Sequence, residues 1–196
     1  MWLMNNFNYW QDVMRAGAIV GVVMALSSVL EQYLLFFSEL SLVRATAIYV
    51  VEWLIMVAIY AFMLFFFARQ RVAQCDPQYG MSFSQVLSYV ILVSMFAGVM
   101  VGVANTLYID AEGYALYVDG MLLRLDQMVD MLPAKIAADE YALFEESADI
   151  IRSAEQPTIF NNIFASLNRY IIGGAFVGVI IAAIVRRDPV QQINEE

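Results

Sequence analysis

The sequence predicts an all-α polytopic membrane protein with four transmembrane helices and a helical hairpin between the third and fourth. Two observations predict this fold: 62% of the 196 residues are hydrophobic while 15% are charged, and the apolar residues are concentrated in four long stretches. A soluble domain is about 45–50% apolar and about 25% charged. We therefore expect residues 1–196 to form a single membrane domain.

Each of the four apolar stretches is long enough to cross a bilayer, which takes about 20 residues. They cover residues 13–37, 45–68, 84–109 and 164–185. The apolar run of the first is too long for a cleavable signal peptide, so we interpret it as a signal anchor. Ser82 or Ser84 is expected to cap the third span, and Thr158 the fourth.

Arginines near the span ends predict the orientation. Four spans place both termini, and the loop between spans two and three, on one side of the membrane. That side carries five arginines close to the span ends, whereas the hairpin between spans one and two carries only Arg44. The five are Arg15, Arg69, Arg71, Arg186 and Arg187. By the positive-inside rule, both termini are predicted to be cytoplasmic and residues 110–162 extracytoplasmic.

The residues missing from the chain narrow its chemistry. There is no histidine and a single cysteine, Cys75, so disulfides, histidine general bases and His/Cys metal ligation are not expected. The net charge is −9, and the segment between Ile109 and Ile163 holds eleven acids against three bases. Such an acidic surface repels phosphate, which argues against nucleic acid as a partner. We predict a protein with no enzymatic activity, no cofactor and no metal.

Apolar residues recur at spacings of three and four in residues 110–162, which predicts two amphipathic helices. The first stripe comprises Val118, Met121, Leu122, Leu125, Met128, Val129 and Leu132. The second helix should begin at Pro133 and end before Pro157, with a stripe of Ile136, Leu143, Phe144, Ala148 and Ile151. The stripes are expected to bury against each other and the tops of the spans, or against a partner protein.

Three ionisable residues on three different spans fall at one predicted depth. Counted from the cytoplasmic arginines at about 1.5 Å per residue, Glu31, Glu52 and Arg169 all lie about 25 Å in. Asn105 and Asn168 lie near that level. If these side chains meet, two carboxylates beside one guanidinium leave an excess negative charge, which favours a protonated carboxyl or a bound cation. The alternative is that the long side chains reach the headgroups separately.

Pairs of glycines spaced four residues apart predict close helix packing on spans one, three and four. They are Gly17 and Gly21, Gly98 and Gly102, and Gly174 and Gly178. The second span instead carries "FMLFFFA", whose bulky side chains suit contact with lipid or with a partner.

Three segments carry a family resemblance: "YGMSFSQVLSYVILVSMFAGVMVG" at the third span, "LYIDAEGY" at its exit, and "YIIGGAFVGVIIAAIVRRDP" at the last span. They resemble the bacterial membrane family called domain of unknown function 4199, found mainly in Bacteroidota. The resemblance implies a Gram-negative inner-membrane protein of four helices with a long third loop. It implies no activity and no catalytic residue.

Three functions stay open. The first is a non-enzymatic accessory or scaffold subunit, whose hairpin or second span binds an envelope or membrane-associated protein. The second is a small transporter or channel that uses Glu31, Glu52 and Arg169 and assembles as a homo-oligomer, since four spans are few to enclose a pathway. The third is an intramembrane enzyme acting on lipid through the two glutamates. We favour the first.

Overall fold

The computed structural model describes residues 2–76 and 80–187, most of which are helical. In order it forms α1 (Trp2–Gln32), a π-helical turn (Tyr33–Phe37), α2 (Leu42–Gln74), α3 (Phe83–Glu112), α4 (Tyr114–Asp130), α5 (Ala134–Ser153) and α6 (Ile159–Val185). Four segments are long and apolar enough to span a membrane: Asn8–Phe37, Leu42–Gln74, Phe83–Glu112 and Ile159–Val185. The predicted all-α class with four spans is confirmed.

The predicted caps explain where two of these helices begin. The Ser82 hydroxyl accepts the Gln85 backbone N–H while the Gln85 side chain accepts the Ser82 N–H, which forms a capping box at the start of α3. At α6, the Thr158 hydroxyl accepts the Asn161 N–H at 3.3 Å. Helix α1 begins eleven residues before the predicted first span, and α2, α3 and α6 begin one to five residues before theirs.

Helix α3 forms the centre of the bundle and packs along α1 on one side and α6 on the other. Its small and β-branched residues Val90, Val93 and Ala97 are fully buried, and Val20 of α1 meets them there. We call the end where α1 begins and α6 ends the termini end, and the opposite end the hairpin end. At the termini end, Met81 and Arg187 pair through two backbone hydrogen bonds of 2.8 and 3.1 Å.

All six glycines singled out by their spacing lie where α3 approaches α1 or α6. A Cβ on Gly17 would lie 2.5 Å from the Phe96 Cβ, and one on Gly98 would lie 3.0 Å from the Leu167 Cα. Gly21 faces Met100, Gly102 faces Ile163, Gly174 faces Ser94, and Gly178 faces Leu87 and Val90. Because glycine has no side chain, the helix backbones approach closely at these positions. In lipid the hydrophobic effect does not drive helices together, so the van der Waals contacts of this close approach stabilise the bundle.

Helix α2 is held far less tightly than the other spans. In its most apolar window 11% of the residues are buried, against 50% for α3. Large side chains such as Trp53, Phe62 and Phe66 are exposed, as suits a helix that faces lipid or another protein. Its separation from α1 and α6 leaves an intramembrane opening between them.

The segment between α3 and α6 folds into two helices, of which α4 packs on the π-helical turn and α5 packs on α4. Phe144, Ala148 and Ile151 of the predicted second stripe are half-buried. Two residues placed in the buried stripes are in fact exposed, Met128 of α4 and Leu143 of α5. The predicted helices are confirmed, but the buried face of α5 is narrower than the five-residue stripe that the sequence predicted. Side-chain placement at Ile136 lies outside the described residues.

Candidate functional sites

An intramembrane cavity of about 430 Å³ lies between α1, α2 and α6. The wall contains the charged residues Glu31 and Arg169, the aromatic residues Tyr49, Trp53, Tyr60 and Tyr170, and a group of small or apolar residues. That group comprises Met24, Met56, Val57, Gly173 and Val177, with Ser27 and Ser28 beside it. The loose attachment of α2 creates this space. If α2 packed tightly against α1 and α6, its side chains would fill it.

The structure brings Glu31, Glu52 and Arg169 into one polar region, as the common depth suggested. Glu31 and Arg169 line the cavity and interact electrostatically, and Glu31 also lies within electrostatic range of Glu52. Among the described residues Arg169 forms no ion pair. Arg169 is exposed on α6, so its guanidinium can donate to a group that enters the cavity.

Glu52 reaches the same region through Ser27, whose hydroxyl donates to Glu52 Oε1 at 2.5 Å. The other carboxylate oxygen, Oε2, is buried and accepts no N–H or hydroxyl hydrogen bond among the described residues, but the Glu31 carboxyl lies within hydrogen-bonding range of Glu52. A buried carboxylate oxygen without a donor costs free energy. Glu52 is not among the lining residues, so it lies behind the wall that Ser27 and Glu31 form.

The two asparagines at this depth behave differently. Asn105 of α3 accepts a hydrogen bond from Ser28 at 2.9 Å, and Ser28 lines the cavity, so Asn105 supports the wall from behind. Asn168 is exposed on α6 and is not among the lining residues. Sequence spacing did not predict the face of α6 on which it lies.

The cavity does not continue through the bundle towards the termini end. Its floor is formed by Tyr60, which donates to Ser94 at 2.8 Å, while Ser94 donates to the Val90 carbonyl at 2.8 Å. Beyond this chain of hydrogen bonds, Leu64 and Val86 are buried in the hydrophobic core. Within the residues described here, the space is a closed-ended cleft and not a channel.

A double-mutant cycle measures whether the charged groups of this cleft interact. We expect the stability changes of Glu31→Gln and Arg169→Gln to be non-additive by more than about 0.5 kcal/mol, because residues coupled through a low-dielectric site do not act independently. The measurement is thermal unfolding in detergent of both single variants and the double variant. The control pair is Glu31→Gln with Arg152→Gln, which we expect to add within about 0.5 kcal/mol. Equal additivity in both cycles would argue against an interacting polar region.

The second candidate site is the α4–α5 hairpin, and its attachment depends on a residue that the sequence analysis counted only as a charge. Arg124 is 5% exposed and inserts its guanidinium into the end of the first span. It donates to the carbonyls of Leu34, Leu35, Ser38 and Leu40, at 2.5 to 3.3 Å. It also donates to the side chains of Ser38 and Gln127.

The carbonyls of Leu34 and Leu35 belong to the helix end, where intrahelical donors run out, and those of Ser38 and Leu40 belong to the turn that follows. A cation there satisfies them and also interacts favourably with the negative end of the helix dipole. Arg124 therefore caps the first span from a different helix. Sequence spacing gave no signal for this, because Arg124 falls on the amphipathic helix as one charge among many. The one hint was a basic residue inside an otherwise apolar and acidic stretch.

Close backbone contact and aromatic packing complete the attachment of α4. A Cβ on Gly120 would collide with the carbonyl oxygen of Phe36, so only glycine fits where α4 crosses the π-helical turn. Tyr117 packs edge-on against Phe36, with ring centroids 4.9 Å apart. Burial, with a contribution from Tyr114, raises the pKa of the Tyr117 hydroxyl, which stays neutral. The base of the hairpin is thus fixed to the first span.

The outer face of α5 contrasts with this fixed base. Leu143 and Ile150 are 61% and 62% exposed, and their separation of seven residues places them on one face of the helix. Glu146 and Asp149 are exposed close by, and Asp149 forms an exposed ion pair with Arg152 at 3.1 Å. Within the described part of the chain, no three His, Cys, Asp or Glu side chains form a metal-binding group. The acids therefore surround an apolar surface and do not assemble a metal site.

The comparisons with known proteins decide the family. A family described as "Protein of unknown function (DUF4199)" matches residues 15–187, which include the hairpin, three whole spans and the first span from residue 15 onwards. The chain belongs to the DUF4199 family. No curated protein and no solved structure matches it. The fold of this DUF4199 protein, with its cleft and its clamped hairpin, is therefore interpreted from its own residues.

Proposed function

We propose that this DUF4199 protein is a non-enzymatic accessory subunit of an envelope complex, held in the bacterial inner membrane with both termini cytoplasmic. The observation that carries the proposal is the outer face of α5. This helix is attached through α4 to the first span by the buried Arg124, yet it leaves Leu143 and Ile150 exposed. Exposed apolar residues are unremarkable in lipid, but on a hairpin outside the bilayer they favour a protein interface.

Charge indicates the chemistry of the partner. The segment between Ile109 and Ile163 holds eleven acids and three bases, so a partner surface with apolar residues ringed by lysine and arginine would be complementary. The acidic hairpin would attract such a surface electrostatically, and the apolar residues of the partner would then pack against Leu143 and Ile150. The rigid attachment of the hairpin supports binding, because less conformational freedom is lost when the interface forms.

The alternative is an oligomeric transporter or channel, and one observation favours it: Glu31 and Arg169 line an intramembrane cleft. A single chain offers no path beyond Tyr60 and the buried core, so this function requires several copies. The weakly buried α2 could supply the contact between copies. We rank it second because transport needs both an assembly and an opening of the packed core.

Photo-crosslinking tests the accessory role. With a photoreactive amino acid at Leu143 or Ile150, we expect an adduct with one extracytoplasmic or envelope protein whose contact surface is basic and apolar. Raising the salt to about 1 M, where the Debye length falls to about 3 Å, should reduce the yield. The matched control is the same amino acid at Leu116 of α4, which is equally exposed but lies elsewhere on the hairpin.

The pattern of adducts separates the hypotheses. An adduct at both α5 positions, reduced by salt and absent at Leu116, supports an accessory subunit. An adduct with a second copy of the chain would favour the oligomeric alternative. Equal adducts at all three positions would mean that α5 has no specific face, which would contradict the proposal.

A further inference from the structure

The cleft between α1, α2 and α6 is amphipathic along the membrane normal. Its charged residues, Glu31 and Arg169, lie towards the hairpin end. Met24 precedes Glu31 by seven residues and Val177 follows Arg169 by eight, so both lie about 10–12 Å closer to the membrane centre. The cleft therefore runs from a charged rim to an apolar interior. A lipid of the adjoining leaflet has the same polarity, with its headgroup at the rim and its acyl chains towards the membrane centre.

The apolar part of the cleft is suited to a hydrocarbon chain. Met24, Met56, Val57 and Val177 line it, and Gly173 lies in the same wall. A Cβ on Gly173 would meet nothing within 4 Å, so the backbone there borders open space and no helix fills it. Methionine side chains adapt well to irregular apolar partners. An apolar cleft open to a bilayer is filled by lipid chains, since no water competes for it.

The charged rim distinguishes between headgroups. Arg169 forms no ion pair among the described residues, and a guanidinium binds phosphate well. Glu31 lines the rim, and Glu52 lies behind it within hydrogen-bonding range of Glu31. A primary ammonium supplies three N–H donors to carboxylate oxygens, whereas a quaternary ammonium supplies none. The rim thus fits a headgroup that carries a phosphate and a primary ammonium.

We propose that this cleft is a binding site for a phosphatidylethanolamine-type lipid of the leaflet at the hairpin end. The phosphate pairs with Arg169, the ammonium donates to Glu31, and one acyl chain lies between α2 and α6. The proposal is independent of the accessory role, since it concerns a different surface. It also explains why α2 stays apart from its neighbours: lipid occupies the place of side chains.

Lipid-resolved native mass spectrometry on the purified full-length chain tests the site. The delipidated protein is titrated with phosphatidylethanolamine, phosphatidylcholine or phosphatidylglycerol in detergent. We expect one tightly bound phosphatidylethanolamine per chain, with phosphatidylcholine about tenfold weaker, the loss expected when a hydrogen bond to a charged group is removed. Phosphatidylglycerol should also bind more weakly, because its headgroup brings no cation to the glutamates.

Two variants test the location of the bound lipid. Glu31→Gln should reduce the preference for phosphatidylethanolamine over phosphatidylcholine, while leaving acyl-chain binding in place. Gly173→Leu should block the cleft and abolish the bound lipid, and the open space there allows the variant to fold. Phe176→Leu is the control on the same helix, because Phe176 is exposed outside the lining.

The outcomes decide the proposal. Selective binding of one phosphatidylethanolamine that is lost in Gly173→Leu and kept in Phe176→Leu supports it. Equal retention of the three lipids would overturn the headgroup assignment. Unchanged lipid retention in a folded Gly173→Leu variant would show that the lipid lies on the outer surface, which would overturn the site itself.

Discussion

The Arg124→Met variant is expected to lose about 3 kcal/mol or more of stability and to release the α4–α5 hairpin from the first span. Methionine keeps much of the volume but none of the donors. The carbonyls of Leu34, Leu35, Ser38 and Leu40 would then lose their shared partner. An unsatisfied buried polar group costs about 1–3 kcal/mol, so several together outweigh the gain from removing a buried charge.

Hydrogen exchange and thermal unfolding in detergent measure this effect. We expect faster exchange in α4 and in the π-helical turn, with little change in α3, which packs elsewhere. Arg152→Met is the control, because its ion pair with Asp149 is exposed and such pairs contribute at most about 1 kcal/mol. Similar small losses in both variants would show that Arg124 does not fix the hairpin.

The Gly102→Ala variant is expected to destabilise the bundle by about 1–3 kcal/mol, the usual cost of overpacking. A Cβ at this position would collide with the backbone of α6 at Asn162 and Ile163. Backbone atoms cannot move aside as a flexible side chain can, so α3 and α6 must separate. These two helices share the most extensive interface of the bundle, which makes the site sensitive.

The neighbouring helix supplies the control for this variant. Gly173→Ala adds the same methyl group where nothing lies within 4 Å. We expect it to be neutral or slightly stabilising, because alanine is a better helix former than glycine. Thermal unfolding in detergent compares the two. A neutral Gly102→Ala would mean that α3 and α6 do not approach as closely as described.

The spans and their caps could be predicted from the sequence because they depend on local information. About 20 apolar residues in a row have few alternatives to a transmembrane helix. Ser82 and Thr158 cap helices through residues only three positions away. The glycine pairs were also readable, since a spacing of four places both residues on one helix face.

The attachment of the hairpin could not be predicted because it joins residues far apart in the chain. Arg124 contacts carbonyls about ninety residues earlier, and no local pattern marks a carbonyl as unsatisfied. Leu143 fits the helical spacing of the stripe whether it is buried or exposed, so the sequence does not show how wide a face of α5 packs against α4. The depth of Glu31, Glu52 and Arg169 followed from counting, whereas the cleft they share arises from the loose fit of α2.

Native mass spectrometry on the tagged protein, extracted with its own lipids in polymer nanodiscs, tests the accessory role most directly. We expect the wild-type chain to be found with one other protein at fixed stoichiometry. That partner should be lost from the Leu143→Arg, Ile150→Arg double variant, which places positive charge on the face that meets a basic surface. A bare chain or a homo-oligomer in the wild-type sample would contradict the account.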